Sequence, residues 1–107
     1  QPDVTWCGGL TELLRISSMA AAYDIPVVPH GSGAYSYHFV ISQPHCPFCE
    51  YLNTSPDCLS FPSVFGSLFE NEILPVNGKI KLNNKPGFGM KLNRKDLNLN
   101  RVFPSNE

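Results

Sequence analysis

The chain has 107 residues, enough for one small domain at most. A net charge of −1 and a pI of about 6.3 give no electrostatic case for nucleic acid or an anionic membrane, and no apolar run approaches the roughly 18 residues of a membrane span. Only 16% of residues are charged, against roughly 25% in average globular chains, which implies that much of the surface is covered by something else.

The chain opens Gln1-Pro2-Asp3 without an initiator Met, and almost no strand precedes Asp3. It therefore reads as the C-terminal part of a larger protein, with a processed small protein as the alternative. Asp3 stands just before the turn Cys7-Gly8-Gly9. Leu10, Leu13, Leu14, Ser17 and Ala21 then recur at helical spacing, with Ile16, Ala20 and Tyr23 widening the apolar face. Thr11 or the Gly8-Gly9 turn starts this helix, and Asp24 before Ile25-Pro26 stops it. A short apolar run, Ile25-Pro26-Val27-Val28-Pro29, is the next strand. It ends at His30, where Gly31-Ser32-Gly33 turns the chain. Strand end, crossover helix and strand make a parallel βαβ unit.

A second helix is predicted over about 33–42, with Tyr35, Phe39 and Val40 on one side and Gln43-Pro44 as its end. Cys46-Pro47-Phe48-Cys49-Glu50 is a third strand, giving the order βαβαβ. Residues 53–67 are rich in Asn, Ser, Pro and Gly and read as a long surface connection. Asn53-Thr54-Ser55 matches the glycosylation pattern, which chance explains better than secretion does. Residues 72–76 and 79–82 flank Asn77-Gly78, a hairpin signal because both turn residues tolerate positive φ. Pro75 makes the first arm an edge or irregular strand. Pro86-Gly87-Phe88-Gly89 is another turn, Met90-Lys91-Leu92 can pair briefly, and 94–99 can form a helical turn.

Three ionisable side chains close three successive strands, with Asp3 27 positions before His30 and Glu50 20 positions after it. Functional sites of parallel α/β folds lie at the carboxyl ends of strands, which stand about 4.8 Å apart. A hydrogen bond from Asp3 would fix the tautomer of His30 and leave the other ring nitrogen as a general base. Glu50 could accept from substrate hydroxyls or, protonated, donate to a developing oxyanion. Each group also has a plain structural reading, as a satisfied polar pair or a surface carboxylate. Trp6 is either a pocket wall or core, Ser32 belongs to a turn whose amides could meet an anion, and Tyr35 either lines the pocket or packs. No nucleophile elbow, phosphate-binding loop or dinucleotide fingerprint occurs.

Cysteines 7, 46, 49 and 58 leave three readings open. Zinc would take His45, Cys46, Cys49 and Cys58 in a small interaction module, but the second half of a zinc pattern is missing. A redox pair would need the C-x-x-C to open a helix. Small buried thiols fit the pattern best.

Beyond these patterns, Gln1-Pro2-Asp3, Trp6-Cys7-Gly8-Gly9-Leu10-Thr11-Glu12, Ile25-Pro26-Val27-Val28-Pro29-His30-Gly31-Ser32-Gly33, Tyr35-Ser36-Tyr37-His38-Phe39-Val40 and Pro47-Phe48-Cys49-Glu50-Tyr51 resemble the enolase superfamily, within it the mandelate racemase subgroup. The later Pro75-Val76-Asn77-Gly78-Lys79 and Pro86-Gly87-Phe88-Gly89 segments resemble that group's C-terminal tail. The resemblance implies an α/β fold: the C-terminal portion of a modified TIM barrel, (β/α)7β, plus the C-terminal strands of an α+β capping domain. Residues 1–60 would supply the last barrel strands and helices, and 61–107 would return to the cap. It further implies a cytoplasmic, homo-oligomeric, Mg²⁺-dependent lyase that dehydrates a sugar acid. His30 would remove the proton α to the carboxylate, Asp3 would be its dyad partner, and Glu50 would stabilise the enediolate or orient substrate. Trp6, Ser32 and Tyr35 would contact substrate. The Mg²⁺ ligands of the family sit upstream of this stretch, so the remaining N-terminal part of the same protein would have to supply them. Another acid-sugar dehydratase or a racemase of the same superfamily is the alternative activity.

Overall fold

The computed structural model describes residues 1–31 and 33–95. Two helices are present, α1 over Leu10–Ala21 and α2 over Ala34–Ser42. Helix α1 follows a tight turn in which the Cys7 amide donates to Asp3 O at 2.8 Å and the Gly9 amide to Val4 O at 3.0 Å. It ends three residues before the expected stop. The Ile25 amide reaches back to Ala20 O at 3.0 Å, and Asp24 takes φ 55°, so the last turn closes in a left-handed cap. The expected range of α2 is matched to within a residue.

The core is small. Val4, Leu13, Val27 and Phe39 are buried together, with Cys7, Ala20, Tyr35, Val40 and Cys46 packed against them. Leu13 is completely buried, which stabilises by about 1.5–3 kcal/mol relative to leaving it exposed. The predicted face of α1 is narrower than its periodicity suggests. Leu13 and Ser17 are buried, whereas Leu10 and Leu14 are exposed, as is Tyr23 just beyond the helix. The radius of gyration, 16.0 Å, exceeds the roughly 13 Å of a compact domain of this length, as expected for a chain with little core.

The three predicted strands do not form a sheet among the described residues. One parallel bridge joins Asp3 to His30, through the His30 amide to Pro2 O at 3.0 Å. Pro26 and Pro29 lack the N–H groups that would extend it, and Pro47 interrupts the run to Glu50 in the same way. The Asn77-Gly78 hairpin is present as one antiparallel bridge, Val76 to Lys79, with hydrogen bonds of 2.9 and 3.0 Å and both turn residues at positive φ. Its arms separate beyond Pro75 around a cleft lined by Leu74, Lys81 and Asn83. Leu92 pairs with Phe69 in a third bridge, so the 90–92 segment finds its partner in the stretch before the hairpin. The helical turn expected over 94–99 lies mostly outside the described residues.

Candidate active site

The site is assembled by the first two turns and the run that ends at Glu50. The parallel bridge places Asp3 and His30 side by side at the main chain. After His30, Gly31 adopts φ 87°, a conformation that glycine takes without strain. This turns the Gly31 amide onto Glu50, whose Oε2 accepts it at 2.5 Å. The same carboxylate oxygen lies 2.9 Å from His30 Nδ1. His30 is 49% exposed at its side chain and Glu50 23%, so the imidazole is reachable while its carboxylate partner is largely enclosed.

The structure thus brings together all three strand-end groups, but with a different pairing from the expected one. Among the described residues, the carboxylate in contact with the ring is Glu50. Asp3 accepts instead from the Thr5 amide at 2.7 Å and the Thr5 hydroxyl at 2.5 Å. The Thr5 hydroxyl is the largest cause holding the Asp3 carboxyl below its usual range; burial opposes it, and the Thr5 and Trp6 amides and the charge of His30 add smaller lowering effects. Asp3 therefore stays ionised beside His30, with its own side-chain contacts made to Thr5. Thr5 was not singled out from the sequence, although Asp-x-Thr two residues apart is a recognisable side-chain turn.

Tyr35, in the first turn of α2, belongs to this neighbourhood. Burial raises its hydroxyl above the ordinary tyrosine range, and the Asp3 charge adds to the effect, so it is a neutral donor at pH 7. Trp6 is 88% exposed, so it packs in no core among the described residues. Ser32 lies outside the described residues.

The zinc module is not supported. Among the described residues no group of three or more His, Cys, Asp or Glu side chains could hold a metal. All four cysteines are free thiols. Burial raises the Cys46 and Cys49 thiols, which keeps them protonated and poor as ligands or nucleophiles. Cys7, Cys46 and Cys49 are half-buried rather than buried as expected, and Cys58 is exposed, on a turn at φ 57°. His45 has a structural role that the sequence did not show: its Nε2 is 2.8 Å from the fully buried Ser17 hydroxyl, tying the segment after α2 to α1. Asn53 Oδ1 accepts the Ser55 amide, a local turn bond.

Known proteins share this arrangement of sequence and backbone. The sequence model of the enolase C-terminal domain-like family matches residues 1–96. The L-rhamnonate dehydratase of Saccharopolyspora erythraea is 50% identical over 93 residues, 87% of this chain and 24% of its own. A crystal structure of L-rhamnonate dehydratase from Gibberella zeae superposes with a TM-score of 0.80 at 57% identity, covering 89% of this chain and 25% of that one. A second Gibberella zeae structure, rhamnonate dehydratase complexed with Mg, gives a TM-score of 0.76 at 57% identity, over 89% of this chain and 24% of that one. The chain spans about a quarter of the length of these relatives.

Proposed function

The chain belongs to the enolase C-terminal domain-like family, and from that premise we propose that it supplies the base-bearing part of an L-rhamnonate dehydratase. The observation that carries this reading is the contact of Glu50 Oε2 with both His30 Nδ1 and the Gly31 amide, beside Asp3. A carboxylate on Nδ1 fixes the ring orientation and leaves Nε2 as the proton acceptor. His30 Nε2 takes the proton from C2 of the sugar acid, and the C–H electron pair moves into the carboxylate as an enediolate. The pair then returns to form the C2–C3 double bond as the C3–O bond breaks. His30 gives its proton to the departing hydroxide, which leaves as water. The enol tautomerises to the 2-keto-3-deoxy acid.

In this reading Glu50 orients the base by contact, and Asp3 stabilises the imidazolium by charge. Substrate contacts fall to Tyr35, Trp6 and Ser32. Residues 1–60 complete a (β/α)7β barrel and 61–107 return to a capping domain, with the rest of a longer polypeptide covering the exposed Met19, Tyr23 and Ile41 and assembling as a homo-oligomer. The described residues do not fit a metal, so the Mg²⁺ seen with one relative would be held outside this chain.

Turnover of L-rhamnonate by the full-length polypeptide, followed by formation of the 2-keto-3-deoxy acid, tests the activity; failure to form that product contradicts it. Glu50→Gln should lower kcat by roughly 10²–10⁴-fold, as for removal of other carboxylates that orient a catalytic His. An Asp3→Asn variant should change the pH–rate profile, and an unchanged profile would remove Asp3 from the site.

A further inference from the structure

The turn 86–89 lies far along the chain from His30, yet its tip reaches the same helix that leaves the catalytic turn. Phe88 packs edge-on to Tyr35, with ring centroids 6.5 Å apart and planes at 79°. It also lies against His38, at 5.8 Å and 57°. Edge-to-face contacts of this kind contribute about 0.5–1.5 kcal/mol beyond burial and fix ring orientation.

The support behind Phe88 is stiff. Gly89 O accepts from both Asn71 Nδ2 and Asn83 Nδ2 at 3.1 Å. Asn71 Oδ1 accepts the Lys91 amide at 2.9 Å, and Asn83 Oδ1 the Lys85 amide at 3.0 Å. Gly89 is buried, and a Cβ there would collide with the Asn83 carboxamide. Two asparagines thus hold the turn from both sides.

Tyr35 also lies close to the turn that follows His30. A Cβ at Gly33 would lie 2.8 Å from the Tyr35 ring, so the ring is seated on the glycine backbone. Its hydroxyl is close enough to Asp3 to feel that charge. Tyr35 therefore lies against both Phe88 and the turn that follows His30.

We propose that Phe88 is a positioning residue for the active site: it clamps Tyr35 on Gly33 and thereby fixes the surroundings of Asp3 and His30. The inference deepens the dehydratase reading and rests on it for the rate. Its direct readout does not. In the full-length polypeptide, the positions of the His30 ring resonances are compared by NMR at one pH in the parent, Phe88→Leu and Phe88→Ala proteins. Releasing Tyr35 should displace those resonances in Phe88→Ala, and less in Phe88→Leu. Phe88→Tyr, which keeps the ring, should restore the parent spectrum. Superimposable His30 resonances for the parent and both truncated variants would overturn the proposal, and if Phe88→Ala does not fold, Phe88→Leu decides alone. Where the parent dehydrates L-rhamnonate, Phe88→Leu should lower kcat several-fold with KM within twofold. A Phe88→Leu, Tyr35→Phe double variant should lose no more kcat than the worse single one; multiplied losses would show that Phe88 acts independently of Tyr35. A parent without dehydratase activity would contradict the function above and leave the NMR comparison to judge Phe88.

Discussion

Residues 1–50 and 53–95 hold their shapes by different means. The first stretch contains the apolar cluster around Val4, Leu13, Val27 and Phe39, both helices, and the three groups of the candidate site. In the second, Ile73 is the buried large apolar side chain, and order comes from side chains bonded to nearby main chain. Asn71 and Asn83 fasten the 86–89 turn, Glu72 accepts from Ser63 and the Val64 amide, and the Tyr51 hydroxyl donates to Pro62 O. The contrast shows a division of labour: the apolar cluster packs the two helices that flank the candidate site, and a polar-stapled segment meets the second of them through Phe88.

The contrast can be broken most sharply at Leu13. Leu13→Ala removes a completely buried side chain from the centre of the cluster and should destabilise the full-length polypeptide by about 2–5 kcal/mol, read from its denaturant midpoint. A loss below about 1 kcal/mol would mean that the cluster is not what holds the first stretch. Asn71→Ala tests the second stretch. It removes hydrogen bonds to Gly89 O and the Lys91 amide and should cost about 1–3 kcal/mol, less than Leu13→Ala because Asn83 still serves Gly89 O. A larger cost than that of Leu13→Ala would reverse the ranking of the two regions.

The smallest effect is expected at Thr5. Thr5→Val deletes the hydroxyl bonded to Asp3, so the Asp3 midpoint should rise toward the ordinary value of about 3.9. Because the folded state holds this carboxyl low, its contribution to stability is present above the unfolded value and is lost as pH falls through the folded one. The variant should therefore lose most of that contribution at pH 7, and its stability should converge on that of the parent as pH falls below the folded midpoint. NMR titration of the Asp3 carboxyl reads the shift directly, and an unmoved midpoint would show that Thr5 does not set it.

Much of the first stretch was legible because helices announce themselves in periodicity. The ranges of α1 and α2 followed from Leu13, Ser17, Phe39 and Val40, and the approach of Asp3 to His30 followed from the βαβ spacing. The ladders were not legible from apolar runs alone. Pro26, Pro29 and Pro47 remove the donors, and a strand is defined by partners that local sequence does not show. The choice between Asp3 and Glu50 as the imidazole's contact was hidden for a similar reason. Strand spacing allows both, and Thr5 on one side and the Gly31 amide on the other decide it. Phe88 meeting Tyr35 is a contact over 53 positions that no short pattern reports.

The central claim is that His30 is the base. The most direct measurement is exchange of the C2 proton of L-rhamnonate with deuterated water in the full-length polypeptide and its His30→Asn variant. The account predicts exchange by the parent and none above the uncatalysed background in the variant. Exchange at the parent rate in His30→Asn would contradict it.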